Sequence, residues 1–252
     1  MVDLSPWPLV GSFSIMSYVM NMYLYMKGDG YESLIISLMS LMMMSYQWWR
    51  DVVRESLMQG MHPSNVTKGI YLGVSMFILS EVMFFFSFFF GFFFTALNPD
   101  IELGQCWPPT GIQSLSYMHV PVLNTILLLS SGISITWAHH SLLESNINQC
   151  KISLIITILL GMVFSAFQFI EYYECPFSMA DSVYGSLFFI TTGFHGIHVI
   201  IGTSFIFVML MRLSNLHMSS SHHVGFEASA WYWHFVDVVW LFLFVSIYWW
   251  GS

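Results

Sequence analysis

Charged residues are scarce in this chain of 252 residues. Asp, Glu, Lys and Arg make up 8% of it, whereas they make up roughly 25% of an ordinary soluble domain. Only six residues are basic, and they form no cluster that alternates with aromatic residues. A protein that binds nucleic acid needs such a basic surface, so this class is excluded. Hydrophobic residues instead make up 56% of the chain, which predicts an integral membrane protein.

Several motifs and patterns are also missing. The sequence contains no Walker, Rossmann or nucleophile-elbow motif, so it predicts no nucleotide-binding or hydrolase site. No internal repeat of fixed period is present, which argues against a transporter built from inverted repeats. Residues 1–6 have neither a basic start nor an Arg-rich amphipathic pattern, and we therefore expect no cleaved targeting segment.

Seven hydrophobic blocks are present, separated by short polar segments. Blocks of about 20 apolar residues match the thickness of a bilayer. We therefore predict an all-α fold, an integral membrane bundle of seven transmembrane helices. The second block is the shortest, and Trp48, Trp49 and Arg50 fit an interfacial end that extends it. The blocks lie at about 9–26, 34–49, 69–97, 120–138, 152–169, 184–211 and 226–250.

A polar segment at 50–68 follows the second block and contains Gly60 and Pro63. Glycine and proline interrupt helices, so this segment predicts a boundary inside the chain. We predict a two-helix N-terminal unit at 1–55, a connecting loop at 56–68 and a five-helix bundle at 69–252.

With seven spans, five of the six basic residues fall on one side of the membrane. By the positive-inside rule, the N-terminus then faces this basic side and the C-terminus faces the other. The five residues are Arg50, Arg54, Lys68, Lys151 and Arg212, and the sixth is Lys27. The opposite side collects the acidic residues Asp29, Glu32, Asp100, Glu102, Glu174 and Asp181.

One glutamate, Glu81, lies near the middle of the block at 69–97, which holds no other charge. An ionisable group at this depth is costly and is usually functional. Two interpretations remain open on the residues alone. Either Glu81 is a protonated carboxyl that hydrogen-bonds a neighbouring helix, or it exchanges protons.

Ten histidines raise the question of a metal site. His195 and His198 lie one helical turn apart, and Glu171 with Glu174 repeats that spacing on the preceding helix. This arrangement is similar to half of a carboxylate di-iron site. The matching Glu-x-x-His motifs on other helices are missing, so we expect no metal on this chain.

Polar side chains inside transmembrane helices commonly join neighbouring helices. We expect such interhelix contacts from His195, His198, His234 and Asp237. Small residues let helix backbones approach closely, and the sixth block contains Gly185, Gly193, Gly196 and Gly202. We assign the pairs His139, His140 and His222, His223 to loops on the basic side.

Several specific motifs follow one another along the chain. They include Trp48-Trp-Arg-Asp-Val-Val-Arg-Glu55, Ser80-Glu-Val-Met-Phe-Phe85, Cys106-Trp-Pro-Pro-Thr-Gly-Ile112, Thr192-Gly-Phe-His-Gly-Ile-His198 and Trp231-Tyr-Trp-His-Phe-Val-Asp237. Together they closely resemble cytochrome c oxidase subunit III. The resemblance runs from Ser5-Pro-Trp-Pro8 to Tyr248-Trp-Trp-Gly251, so it covers essentially the whole chain.

This resemblance implies a non-catalytic core subunit of mitochondrial cytochrome c oxidase, respiratory complex IV, which reduces dioxygen to water and pumps protons. It implies that helices 1 and 2 are splayed from helices 3 to 7 around a lipid-binding cleft. The basic side, with the loop at 56–68, becomes the matrix side of the mitochondrial inner membrane. The C-terminus then faces the intermembrane space.

The resemblance also implies which groups lie elsewhere. Haem a, haem a3 and copper belong to partner subunits, and this chain carries no redox centre and no catalytic residue. The implied partners are subunits I and II, smaller nuclear-encoded subunits and phospholipids. Membership of a respiratory supercomplex is left open.

Five residues match functional positions of the family. Glu81 matches a buried carboxyl near the lipid cleft. Trp49, Arg54, His62 and Arg212 match positions that meet lipid headgroups.

Phe90 and Phe94 depart from the family, which has Trp and His there. This departure leaves the contacts at that end of the third helix open.

Two other classes remain open on the residues alone. A membrane di-iron or desaturase-type enzyme needs histidine clusters on one face and stoichiometric iron. A proton-coupled secondary transporter needs several facing intramembrane carboxylates and repeat symmetry.

Overall fold

The computed structural model describes residues 4–101 and 104–252, so Glu102, Leu103 and the first three residues lie outside the described part. The described part is helical without strands, which confirms the predicted fold class. It contains seven α-helices, and the last continues as a π-helical segment, Phe244–Trp250. The helices are α1 Trp7–Met26, α2 Glu32–Met58, α3 Ser64–Leu97, α4 Val120–Leu143, α5 Ile147–Glu174, α6 Val183–Ser214 and α7 Val224–Leu243.

Five helices of the described part are long and apolar enough to cross a membrane: α3, α4, α5, α6, and α7 with its π-helical segment. The chain is therefore a multi-pass membrane protein. α1 has 20 residues and α2 has 27, which is sufficient length for a span, but both are less apolar. α2 extends past Trp49 to Met58, so the second hydrophobic block is extended at the end where we predicted it from Trp48, Trp49 and Arg50.

The first compact unit ends at Gly69, and within it α1 packs along α2. Gly11 allows this approach, because a Cβ atom there would lie 3.2 Å from the Met44 side chain. The indole of Trp7 donates a hydrogen bond of 2.9 Å to the carboxylate of Asp51. The connection from α2 to α3 is residues 59–63, shorter than the predicted loop because both helices extend into it.

The second compact unit is Ile70–Ser252, and α7 forms much of its core. Trp233 and Trp240 of α7 are fully buried. Their indole nitrogens donate hydrogen bonds of 2.9 and 3.0 Å to the hydroxyl groups of Ser131 and Thr125 on α4. A buried indole needs such an acceptor, so the small hydroxyl residues of α4 fix the position of α7 along its axis.

The glycines of α6 differ in what surrounds them. A Cβ atom on Gly202 would lie 2.8 Å from the ring of Trp233, and one on Gly185 would collide with a backbone carbonyl of the preceding loop. Around Gly193 the space is ordinary, and a Cβ atom on Gly196 would meet nothing within 4 Å. Close packing against α6 therefore depends on two of its four glycines.

Candidate functional site

The glutamate in the middle of α3 meets a histidine of α6. Oε2 of Glu81 lies 2.9 Å from Nε2 of His198. The two side chains are 23% and 10% exposed. The contact joins residues that are 117 positions apart in the sequence, at a depth where an ionisable group is costly.

The contact made by the second ring nitrogen of His198 indicates how many protons the pair holds. Nδ1 lies 2.6 Å from the carbonyl oxygen of Phe194, one turn earlier in α6. A carbonyl oxygen only accepts, so Nδ1 carries a hydrogen and donates it. One further proton then lies between Nε2 and the carboxyl group of Glu81. The pair is either a carboxylic acid with a neutral imidazole, or a carboxylate with an imidazolium.

Aromatic rings enclose the histidine side of this pair. The ring of His198 lies 5.0 Å from the ring of Phe85, and 6.3 Å from the rings of Tyr232 and Phe235. All three rings belong to buried residues and exclude water from the imidazole. The side chain of Glu81 is less enclosed and stays 23% exposed.

His195 lies one turn from His198 but in a different environment. Its ring is almost fully buried between the rings of Phe164 and Trp240, with centroids 5.7 and 5.3 Å away. Neither ring nitrogen has a hydrogen-bond partner among the described residues. Within that part of the chain, His195 and Glu171 also join no group of three metal ligands. Helical spacing alone therefore does not bring these side chains to one ion.

His234 and Asp237 lie on one face of α7, with Nδ1 of the histidine 3.9 Å from Oδ2 of the aspartate. Oδ1 of Asp237 is buried and has no hydrogen-bond partner in the described part. Both residues line an open groove of about 550 Å³ whose other wall is α4. A Cβ atom on Gly132 of α4 would lie 2.8 Å from the carboxylate of Asp237, so this glycine makes room for the carboxylate.

The four residues predicted to meet lipid headgroups lie in both units. Trp49 and Arg54 are exposed in the first unit, and His62 is half-buried there. Arg212 lies in the last turn of α6, and its guanidinium packs against Gly225 at the start of α7. Its Nε is buried and finds no hydrogen-bond acceptor among the described residues. A guanidinium in this state is suited to bind an anion such as phosphate.

Phe90 and Phe94 are both exposed on α3. Their rings stack on each other, with centroids 6.1 Å apart. At these positions the chain offers an apolar surface in place of the indole and imidazole groups of the family pattern. Such a surface suits contact with hydrocarbon.

Sequence reasoning missed a cluster at one end of the second unit. The assignment of His139 and His140 to a loop is wrong, because α4 continues to Leu143. His223 directly precedes the first residue of α7, and Glu227 follows one turn later. The His139 and His223 rings and the Glu227 carboxylate each bring one ligand atom to a group within 4.8 Å. The His-x-x-x-Glu spacing, which puts two side chains on one helix face, was the available signal.

The whole chain matches one protein family. A family model described as cytochrome c oxidase subunit III matches residues 1–252. A protein named cytochrome c oxidase subunit 3 from Ornithorhynchus anatinus is 55% identical over 252 residues, which is 100% of this chain and 97% of that protein. Relatives of the same name from Gazella dorcas and Litocranius walleri are 56% and 55% identical over the same shares. The chain therefore belongs to the cytochrome c oxidase subunit III family.

Proposed function

We propose that this chain serves mitochondrial cytochrome c oxidase as a non-catalytic core subunit that stabilises subunit I, holds phospholipids and supports proton uptake. The observation that carries the proposal is the family match along all 252 residues. Haem a, haem a3 and copper then belong to partner subunits. Those subunits oxidise cytochrome c, reduce dioxygen and pump protons.

The contact between Glu81 and His198 supports a structural role inside the bilayer. It joins α3 to α6 by a hydrogen bond between two side chains. Hydrogen bonds of this kind hold transmembrane helices together where no hydrophobic driving force acts between them. A bundle held in this way presents a rigid surface to its partners.

The groove between α4 and α7 supports binding of a partner helix. His234 is 47% exposed there, near the middle of α7. Ionisable side chains at such a depth usually face protein or a water-filled cavity and not hydrocarbon. We assign the groove to a transmembrane helix of a partner subunit that donates a hydrogen bond to Asp237.

The distribution of basic residues supports an orientation in the mitochondrial inner membrane. Lys151 lies in the first turns of α5 and Arg212 in the last turn of α6, so an alternating chain puts both at the same end. Loops rich in positive residues tend to stay on the side from which the chain enters the membrane. The N-terminus then faces the matrix and the C-terminus faces the intermembrane space.

Copurification tests the proposed assembly. The complex that contains this chain is extracted in mild detergent and analysed by mass spectrometry and by its haem a absorbance. We expect haem a together with subunits I and II. Purification of the chain alone, with bound iron or with a transported solute, would replace the proposal by the enzyme or transporter alternative.

Replacing Arg212 with glutamine is expected to lower the number of phospholipid molecules that the purified oxidase retains. The guanidinium offers two parallel donors to one phosphate group, and glutamine does not carry the positive charge. Quantitative lipid mass spectrometry of the complex measures the change. Lys151→Gln removes a positive charge from the same end of the bundle and serves as the control, with lipid content as in the unmodified complex. Equal lipid loss in both variants would contradict a specific role for Arg212.

A further inference from the structure

We propose that His139, His223 and Glu227 form a binding site for a zinc-class divalent cation, at the end of the bundle where α4 ends and α7 begins. Nε2 of His223 lies 3.0 Å from Oε1 of Glu227, and Nε2 of His139 lies 3.8 Å from the same oxygen. All three ligand atoms are within 4.8 Å of one another. His139 lies on α4, Glu227 lies on α7 and His223 directly precedes α7, all within one compact unit.

The tautomer of His223 leaves its second nitrogen available as a ligand. Nδ1 lies 3.0 Å from the carbonyl oxygen of Ser219, which only accepts, so Nδ1 is the protonated nitrogen. Nε2 then presents a lone pair towards the carboxylate of Glu227. A histidine that binds a metal commonly donates its other N–H to a backbone carbonyl in this way.

The cluster brings together two imidazole nitrogens and a carboxylate, which can all act as ligands of a cation. Nε2 of His223 and Nε2 of His139 are both buried, and neither has a hydrogen bond of good geometry in the described part of the chain. The 3.0 Å contact between His223 and Glu227 is close but lacks the alignment of a hydrogen bond. A proton shared by His223 and Glu227 therefore fits this geometry less well than a metal ion placed between all three side chains.

The ligand set and its spacing select the type of ion. Two imidazoles and one carboxylate suit zinc, whereas calcium and magnesium take oxygen ligands. With bonds of 2.0 to 2.2 Å, tetrahedral ligand atoms lie about 3.3 Å apart, close to the two distances seen here. A cavity of about 160 Å³ adjoins His139 and Glu227 and has room for a water molecule in the fourth position.

The surroundings of the site favour this role. The hydroxyl of Tyr71 lies beside the carboxylate of Glu227, where an outer partner of a metal ligand would lie. The ion would join α4 to α7 without any redox chemistry. A metal at this cluster would contradict our expectation from the sequence that the chain holds none.

Zinc binding to the purified oxidase complex tests the proposal. Chelator-treated complex is titrated with Zn²⁺, and bound zinc is counted by elemental analysis. We expect His223→Gln and Glu227→Gln each to weaken one tight zinc site by about 100-fold or more, since loss of an outer partner alone costs 10 to 100-fold. His222→Gln and His140→Gln alter neighbouring histidines outside the cluster and keep that site.

Diffraction at the zinc absorption edge provides a second measurement that needs no variant. In the unmodified complex soaked with Zn²⁺, an anomalous peak is expected about 2.0 to 2.2 Å from all three ligand atoms. Equal zinc counts in the His223→Gln and His222→Gln complexes would overturn the proposal. So would the absence of a peak between the three side chains, which would leave a proton shared by His223 and Glu227.

Discussion

Replacing Glu81 with alanine is expected to destabilise the packing of α3 against α6 by about 1 to 3 kcal/mol in the assembled oxidase. Nε2 of His198 then loses the partner that lies 2.9 Å away, while the ring stays largely buried. A buried group left without its partner costs more than the pair contributes. The temperature at which the chain dissociates from the detergent-solubilised complex measures the effect, and we expect a lower value for Glu81→Ala.

Glu81→Gln is the matched variant for this experiment. The Nδ1 hydrogen of His198 is engaged by the carbonyl of Phe194, so its Nε2 accepts a hydrogen bond from the amide group of glutamine. We expect this variant to keep the dissociation temperature of the unmodified complex. The same result would identify the resting pair as a carboxylic acid with a neutral imidazole. If Glu81→Gln is as unstable as Glu81→Ala, the resting pair is an ion pair.

Proton uptake separates a structural role of Glu81 from a proton-exchanging one. The block at 69–97 holds no second ionisable carboxylate that would continue a relay along α3. We therefore expect oxygen reduction and proton uptake by the Glu81→Gln complex to match those of the unmodified complex. Slower uptake with unchanged stability would contradict this and assign proton exchange to Glu81.

A double-mutant cycle with His198→Ala isolates the contact itself. If the two side chains stabilise the bundle through each other, the double variant loses less stability than the two single variants added together. Coupling energies of hydrogen bonds between membrane helices average about 0.6 kcal/mol. A coupling near zero would show that Glu81 and His198 contribute independently.

The helices were largely predictable from hydropathy, but their ends were not. The block that ends near residue 138 continues as helix to Leu143, because polar residues such as His139 and His140 extend a span into the interface without interrupting it. The polar segment at 50–68 likewise contains helical turns of α2 and α3 on both sides of a short connection. Loss of hydrophobicity marks the end of the apolar layer and not the end of the helix.

The depth of Glu81 was predictable from its sequence neighbours, whereas its partner was not. His195, His198 and His234 all lie in hydrophobic blocks, and spacing along one helix does not define which of its faces meets another helix. In the structure, aromatic rings enclose His195, and only His198 meets Glu81. The choice depends on the rotation of α6 relative to α3, which is set by packing of many side chains at once.

The groove on α4 and α7 leads to the second large expected effect. His234 is 47% exposed, and Oδ1 of Asp237 has no hydrogen-bond partner in the described part of the chain. Both residues lie at mid-membrane depth, where contact of an ionisable group with hydrocarbon is costly. Gly132 leaves the space that the carboxylate of Asp237 occupies. A side chain at position 132 would therefore displace Asp237 and fill the groove that we assign to a partner helix.

Gly132→Leu is accordingly expected to reduce the fraction of oxidase that contains this chain by about tenfold. Overpacking costs about 1 to 3 kcal/mol, and a loss of about 1.4 kcal/mol in binding free energy lowers the binding constant tenfold. Quantitative mass spectrometry of the purified complex gives the ratio of this chain to subunit I. Gly196→Leu is the control, since it makes the same change where a Cβ atom meets nothing within 4 Å. Normal assembly of Gly132→Leu would contradict the proposed docking surface. Loss in both variants would instead show that added bulk at either glycine prevents folding, and Asp237→Asn, which keeps the shape of the groove, would then test the partner contact.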